Sequence, residues 1–193
     1  MIIALMMGRA GSVGFPKKNI KKVLGRRLFE YPLIASKKSK YINKIFVSTD
    51  CPIIARGSKK YGAMHINRPK KLANKKALGE DVYEHAYFEI KKILNLDAKN
   101  IDYIVLLMAN APTITADLID QGIDILNENK NFDSAVTTSI YNMWSPLRAR
   151  KIDSNNLLKP FIPFKVFGNP KTLNCDRDSQ GDVHYADMSV SIV

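Results

Sequence analysis

Residues 8–19 read Gly8-Arg9-Ala10-Gly11-Ser12-Val13-Gly14-Phe15-Pro16-Lys17-Lys18-Asn19. Glycines set among an arginine, two lysines, a serine and an asparagine suit the holding of a polyanion. Glycine lets the backbone turn through positive φ and approach a ligand with no Cβ in the way. Successive free amides can then point at phosphate oxygens, and Arg9 and the lysines add charge and donors. Two familiar phosphate loops are excluded by spacing: a P-loop needs glycine, four residues, then Gly-Lys-Ser/Thr, and the dinucleotide fingerprint needs G-x-G-x-x-G. Taken alone, the stretch is equally a basic, solvated surface turn. As a site, it reads as a cradle for a nucleoside triphosphate.

Such a loop must hang from a framework, and the chain supplies one. Ile2 to Met7 is an apolar run with no basic leader before it, far too short to span a bilayer, and it reads as a buried strand. Leu28 to Ser39 carries a helical apolar stripe with Pro32 near its start. Lys44 to Ser48 is predicted as a strand ending in Ser48-Thr49-Asp50, and Pro52 to Tyr61 as a helix with Asp50 or Thr49 as its N-cap. A brief strand over Ala63 to Ile66 leads into Arg68 and a lysine-rich loop through Lys76. Asp81 to Leu94 places Val82, Ala86 and Ile90 on one helical face. Tyr103 to Met108 is too continuously apolar for an edge strand and suits a central parallel one. It exits through Ala109-Asn110-Ala111-Pro112-Thr113. Thr115 caps a helix from Ala116 to about Asn127, and Asp133 to Ser139 is another strand. This alternation predicts a three-layer α/β fold with a mostly parallel sheet. Three loops, Gly8 to Asn19, Ser48 to Asp50 and Ala109 to Thr113, then share one sheet edge, where such folds bind ligands. Arg68 also follows a strand, within reach of the same crevice.

Past residue 140 the pattern changes. Trp144 to Arg150 and the proline-punctuated stretch after it show no helical period, residues 178–182 make a polar turn, and Tyr185 to Val193 reads as a last strand. The chain of 193 residues suits one domain. Its nucleotide-binding part spans about residues 1–140, and residues 141–193 serve sugar binding or dimerisation. Stopping in mid-strand at Val193 is read as lacking the natural C-terminus.

With 30 Lys+Arg against 18 Asp+Glu, the formal charge is +12, which favours anionic partners. The lysines are scattered in pairs, a pattern of a solvated surface rather than of a nucleic-acid face. Cys51 and Cys175 lie far apart with no metal-ligand spacing, as in reduced cytoplasmic proteins.

Taken together, these blocks resemble the cytidylyltransferases that activate acidic sugars, the CMP-sialic acid (acylneuraminate) synthetase family. Gly8 to Asn19 is similar to that family's A-R-x-x-S-x-G-x-P-x-K-N signature, Ile45 to Asp50 to its IVSTD, and Arg68-Pro69 with Leu72-Ala73 to its RPxxLA. The apolar strand ending at the Pro112 loop completes a resemblance covering about residues 2–140. It implies a Rossmann-like nucleotidyltransferase fold. It also implies a cytoplasmic homodimer transferring CMP from CTP to a nonulosonic or 3-deoxy sugar acid with Mg²⁺. No nucleic acid or membrane is an implied partner. Gly8, Arg9, Ala10, Gly11, Ser12, Lys18 and Asn19 would contact the nucleotide, with Arg68 and Asn110. Arg9 and Lys18 would be catalytic, Lys18 as the charge stabiliser at the α-phosphate. Asp50 is either functional or a helix cap.

Departures accompany the match. The family's LQPTSP becomes Leu107-Met108-Ala109-Asn110-Ala111-Pro112, so Met108 stands where a glutamine is usual and Ala111 where a serine is. Trp144, Arg148 and Arg150 suit a sugar carboxylate or a dimer contact, and His184 is a candidate sugar contact. The aspartate pair that would hold Mg²⁺ is expected after Val193, so the metal ligands are unassigned, Asp187 being a weak stand-in. The alternatives are a transferase of the same fold using another nucleotide or a non-acidic sugar, and a non-catalytic nucleotide- or nucleic-acid-binding module.

Overall fold

The structure is a computed structural model that describes residues 1–11, 14–95, 100–141, 144–169, 171 and 182–193. The chain divides into two compact units, one of residues 1–137 with 188–193 and one of residues 138–187.

The first unit is built on β1 (Ile2–Met7), whose apolar run is covered on both faces. Ala4 and Met6 join one core cluster while Ile3 and Leu5 join the other, which is why no polar residue interrupts the strand. A hairpin of β2 (Lys22–Val23) and β3 (Arg26–Arg27) follows, and then α1 (Glu30–Lys38), with Pro32 in its first turn. β4 (Lys44–Thr49), α2 (Pro52–Ser58) and β5 (Met64–Asn67) complete the first crossover pair. The helix predicted to Tyr61 stops at Ser58 and tightens into a 3-10 turn over Lys59–Tyr61, ended by Gly62 at φ 78. After α3 (Gly79–Leu94) comes β6 (Tyr103–Met108), then α4 (Ala116–Glu128), where Thr115 accepts the Leu118 amide as the predicted cap. β7 (Ala135–Ile140) begins in the first unit.

The second unit, taken by itself, holds a 3-10 turn over Pro146–Arg148 and a hairpin of β8 (Arg150–Ile152) with β9 (Leu158–Pro160). The last strand, β10 (His184–Ile192), returns the chain to the first unit at Met188.

Strand order in the main sheet is β5-β4-β1-β6-β10-β7. β5, β4, β1 and β6 are parallel, and β10 is antiparallel to β6, pairing Val190 with Leu107 and Ile192 with Val105. Ile54, Leu33 and Ile119, from α2, α1 and α4, fill one face of the sheet, and Ala86 and Ile90 of α3 fill the other, giving the three layers of the expected α/β fold. Among the described residues no helix is long and apolar enough to cross a membrane.

Candidate active site

Parallel register decides where the site falls. Met7 of β1 lies opposite Ser48 of β4 and Met108 of β6, so the three strands end level with one another. The loops after them start side by side and are stitched together. The Gly8 amide donates to Ser48 O at 3.2 Å, and the Ala109 amide to Met7 O at 3.0 Å. A side chain has no place at residue 8, because a Cβ there would stand 2.7 Å from the Ala109 Cβ.

The loop is braced from behind by β4 and its exit. Thr49 donates its hydroxyl to Gly8 O and accepts the Cys51 amide, and Asp50 accepts the Ala10 amide at 2.8 Å. This corrects the reading of Asp50 as a helix cap: α2 begins after Cys51 with no side-chain cap, and the Asp50 carboxylate ties down the glycine loop instead. It also corrects the expectation of successive free amides, since those of Gly8 and Ala10 both have partners within the protein. Ser12 lies outside the described residues.

Asn19 closes the loop's far end. Buried at 7% exposure, it donates from Nδ2 to Arg9 O at 3.1 Å, while its Oδ1 has no hydrogen-bond partner among the described residues. A carbonyl oxygen accepts only, so a ligand hydroxyl or amine suits it and a phosphate oxygen does not.

A cleft of about 480 Å³ opens beside this loop. Gly8, Arg9, Lys18, Asn19, Arg68 and Asn110 line it, together with Met108. Arg68 leaves β5 directly and folds back under the loop, 6% exposed, with Nη2 2.7 Å from Ser48 O and Nε 3.3 Å from Ser48 Oγ. It makes no ion pair among the described residues. Burial pulls the guanidinium below its ordinary value, the Asp50 charge opposes that, Arg9 adds to the lowering and Tyr83 opposes it. Arginine stays charged nonetheless. A buried cation that feels both Asp50 and Arg9 and has no ion pair among the described residues is a group that a bound anion would complete.

No carboxylate is among the described residues lining the cleft, and no group of three or more His, Cys, Asp or Glu able to hold a metal occurs among the described residues. A protein-held Mg²⁺ therefore does not fit the donors present here, which are cationic and amide groups.

The remaining candidates belong to the second unit. Arg148 and Arg150 are exposed, and Arg150 donates to Leu147 O at 2.7 Å and stacks 5.2 Å from the Phe164 ring. His184, the candidate sugar contact, is the first residue of β10, with Nδ1 3.4 Å from Thr138 Oγ1. Asp187 accepts the Ser139 hydroxyl at 3.1 Å.

Sequence reasoning passed over several residues that line the cleft, among them Phe15, Asn74, Lys75, Leu78 and Val82. For Lys75 the signal was masked by its neighbours, since a run of lysines reads as solvated surface.

The family model described as cytidylyltransferase matches residues 3–191. A Legionella pneumophila CMP-N,N'-diacetyllegionaminic acid synthase is 30% identical over 173 residues, covering 87% of this chain and 71% of that protein. A Helicobacter pylori pseudaminic acid cytidylyltransferase and UDP-2,4-diacetamido-2,4,6-trideoxy-beta-L-altropyranose hydrolase is 27% identical over 171 residues, covering 88% of this chain and 31% of that protein. The chain spans between 20% and 58% of the length of this and three further curated relatives. Among solved structures, CMP:2-keto-3-deoxy-manno-octonic acid synthetase complexed with CTP superposes with a TM-score of 0.65 at 12% identity, covering 99% of this chain and 73% of that one, which shows a shared fold.

Proposed function

Because the chain belongs to the cytidylyltransferase family, we propose that the cleft beside Gly8 binds CTP and that the protein transfers CMP to an acidic sugar, releasing pyrophosphate. The observation that carries this reading is Arg68, a buried guanidinium without an ion-pair partner among the described residues, set beside Arg9 and Lys18. The named relatives act in activating legionaminic and pseudaminic acids, which supports a nonulosonic or 3-deoxy sugar acid as the acceptor.

A sugar hydroxyl oxygen attacks the α-phosphorus of CTP. The bond from that phosphorus to the α,β-bridging oxygen breaks, pyrophosphate leaves with the electron pair, and the hydroxyl proton passes to solvent. Phosphoryl chemistry of this kind depends mainly on placed positive charge. Lys18 faces the reacting α-phosphate, Arg9 and Arg68 hold the tail, and Asn19 Oδ1 accepts from a nucleoside hydroxyl or amine. Arg148, Arg150 and His184 are the proposed contacts for the sugar acid. The protein acts as a homodimer in the cytoplasm, where CTP is available.

One observation favours a different nucleotide on the same scaffold: the cleft wall carries Met108, whose thioether offers a base little hydrogen bonding. Thermal melts with CTP, UTP, GTP and ATP separate the two. CTP at about a hundred times its Kd stabilises a single-site binder by roughly 2.7 kcal/mol. A shift with CTP alone is expected, and an equal or larger shift with another triphosphate would overturn the assignment to CTP.

A further inference from the structure

The stretch after Arg68 contains Lys70, Lys71, Lys75 and Lys76, and the block similar to RPxxLA closes at Ala73, ahead of Lys75 and Lys76. These lysines do not share one environment. Of the four, only Lys75 lines the cleft, while Lys71 lines a separate groove with Asp81 and Glu84.

The backbone around Lys75 is pinned. The 3-10 turn over Lys70–Leu72 closes with the Ala73 amide on Lys70 O at 3.1 Å. Asn74 then reaches both ways: Nδ2 donates to Lys71 O at 2.7 Å, and Oδ1 accepts the amides of Lys76 at 2.8 Å and Ala77 at 3.1 Å. Lys75 is the residue enclosed by that bracket, an Asx turn that fixes its place without using its side chain. A lysine here joins Arg9, Lys18 and Arg68 on one cleft with no carboxylate among its described lining residues. Like charges repel in the empty cleft, and the arrangement becomes favourable once several negative charges enter together.

We infer that Lys75 is a fourth cationic contact for a polyphosphate in this cleft, placed there by the Asn74 turn. The inference rests on the nucleotide reading of the cleft, and it concerns the charged tail rather than the base. Asn74 is a positioning residue and Lys75 a binding residue. Because an ammonium is a flexible point charge, Lys75 suits the mobile end of a polyphosphate better than a fixed bidentate grip.

Isothermal titration of the protein with inorganic tripolyphosphate, CTP and cytidine tests it, in the parent, Lys75→Gln and Lys76→Gln. Lys75→Gln is expected to weaken tripolyphosphate and CTP about three- to tenfold, to leave cytidine unchanged, and to flatten the salt dependence of CTP binding. Lys76→Gln should change every affinity by less than about twofold. Asn74→Ala should reproduce part of the Lys75→Gln loss; Asn74→Asp keeps the acceptor for the Lys76 and Ala77 amides but loses the donor to Lys71 O, so it should recover part of the melting temperature that Asn74→Ala loses. Equal CTP and tripolyphosphate affinity in the parent and Lys75→Gln, or an equal loss in Lys76→Gln, overturns the inference. Lys75-dependent tripolyphosphate binding without any preference for CTP would keep the inference and sink the CTP assignment.

Discussion

Arg68 and Gly8 share a single acceptor: Ser48 O takes Nη2 of Arg68 at 2.7 Å and the Gly8 amide at 3.2 Å. One carbonyl at the end of β4 thus sets both the buried cation and the first residue of the glycine loop. The positions of Arg68 and of the loop are linked through it.

Arg68 separates stability from binding. Its charge is buried without an ion pair among the described residues, so replacing it by an apolar residue of similar length removes a desolvation cost in the empty protein. Arg68→Met is expected to melt at or above the parent temperature without nucleotide and to lose the CTP-induced shift, with Kd weakened by roughly a hundredfold or more. Melting curves with and without CTP check this. A variant that unfolds earlier yet binds CTP normally would make Arg68 a packing residue only.

Lys18 is half-buried on the cleft wall. Lys18→Ala should therefore leave the melting temperature within a degree or two while turnover falls about 10²- to 10³-fold, the range for one lost charge-stabilising donor. Full activity in Lys18→Ala would remove it from the mechanism.

Two glycines of the same loop should behave differently. A Cβ at Gly8 would meet the Ala109 Cβ at 2.7 Å, whereas one at Gly11 would meet nothing within 4 Å. Gly8→Ala is expected to destabilise by about 1–3 kcal/mol through forced backbone movement, and Gly11→Ala by a few tenths at most. Urea unfolding of both variants measures the contrast, and equal losses would contradict it.

Glu30 anchors the start of α1, accepting the Arg27 amide at 2.9 Å and pairing with Lys60. Burial alone would raise its carboxyl, but the bonds from Lys60 and the Arg27 amide, with the Lys60 charge, hold it below the ordinary value. A carboxyl lowered in the folded state adds stability above its unfolded value, about 4.3, and loses it as pH falls through the folded one. The melting difference between parent and Glu30→Gln should be largest near pH 7 and shrink below about pH 4. A difference that grows on acidification would reverse the sign of this account.

Much of the framework was legible locally. Tyr103 to Met108 was predicted with the bounds the structure gives β6, because an unbroken apolar run has few other readings, and Thr115 was read as the cap it is. Other features depend on partners distant in sequence. β10 lies between β6 and β7 and runs antiparallel to β6, a pairing that periodicity within residues 184–192 cannot express. The β2–β3 hairpin turns on Leu24 at φ 48 and Gly25 at φ 81, and leucine gives no signal of a left-handed residue. Asp50 just ahead of a helix looks like a cap in any sequence, and only the tertiary approach of Ala10 assigns it to the loop. The burial of Arg68 was likewise hidden, since an arginine after a strand is ordinarily a surface residue.

The most direct test of the account is pyrophosphate release from CTP by the full-length protein against a panel of nonulosonic and 3-deoxy sugar acids. The account predicts release that needs both CTP and one of the acids and that Arg68→Met and Lys18→Ala each cut by about a hundredfold or more. Release with no acid in the panel, or undiminished release in Arg68→Met, would contradict it.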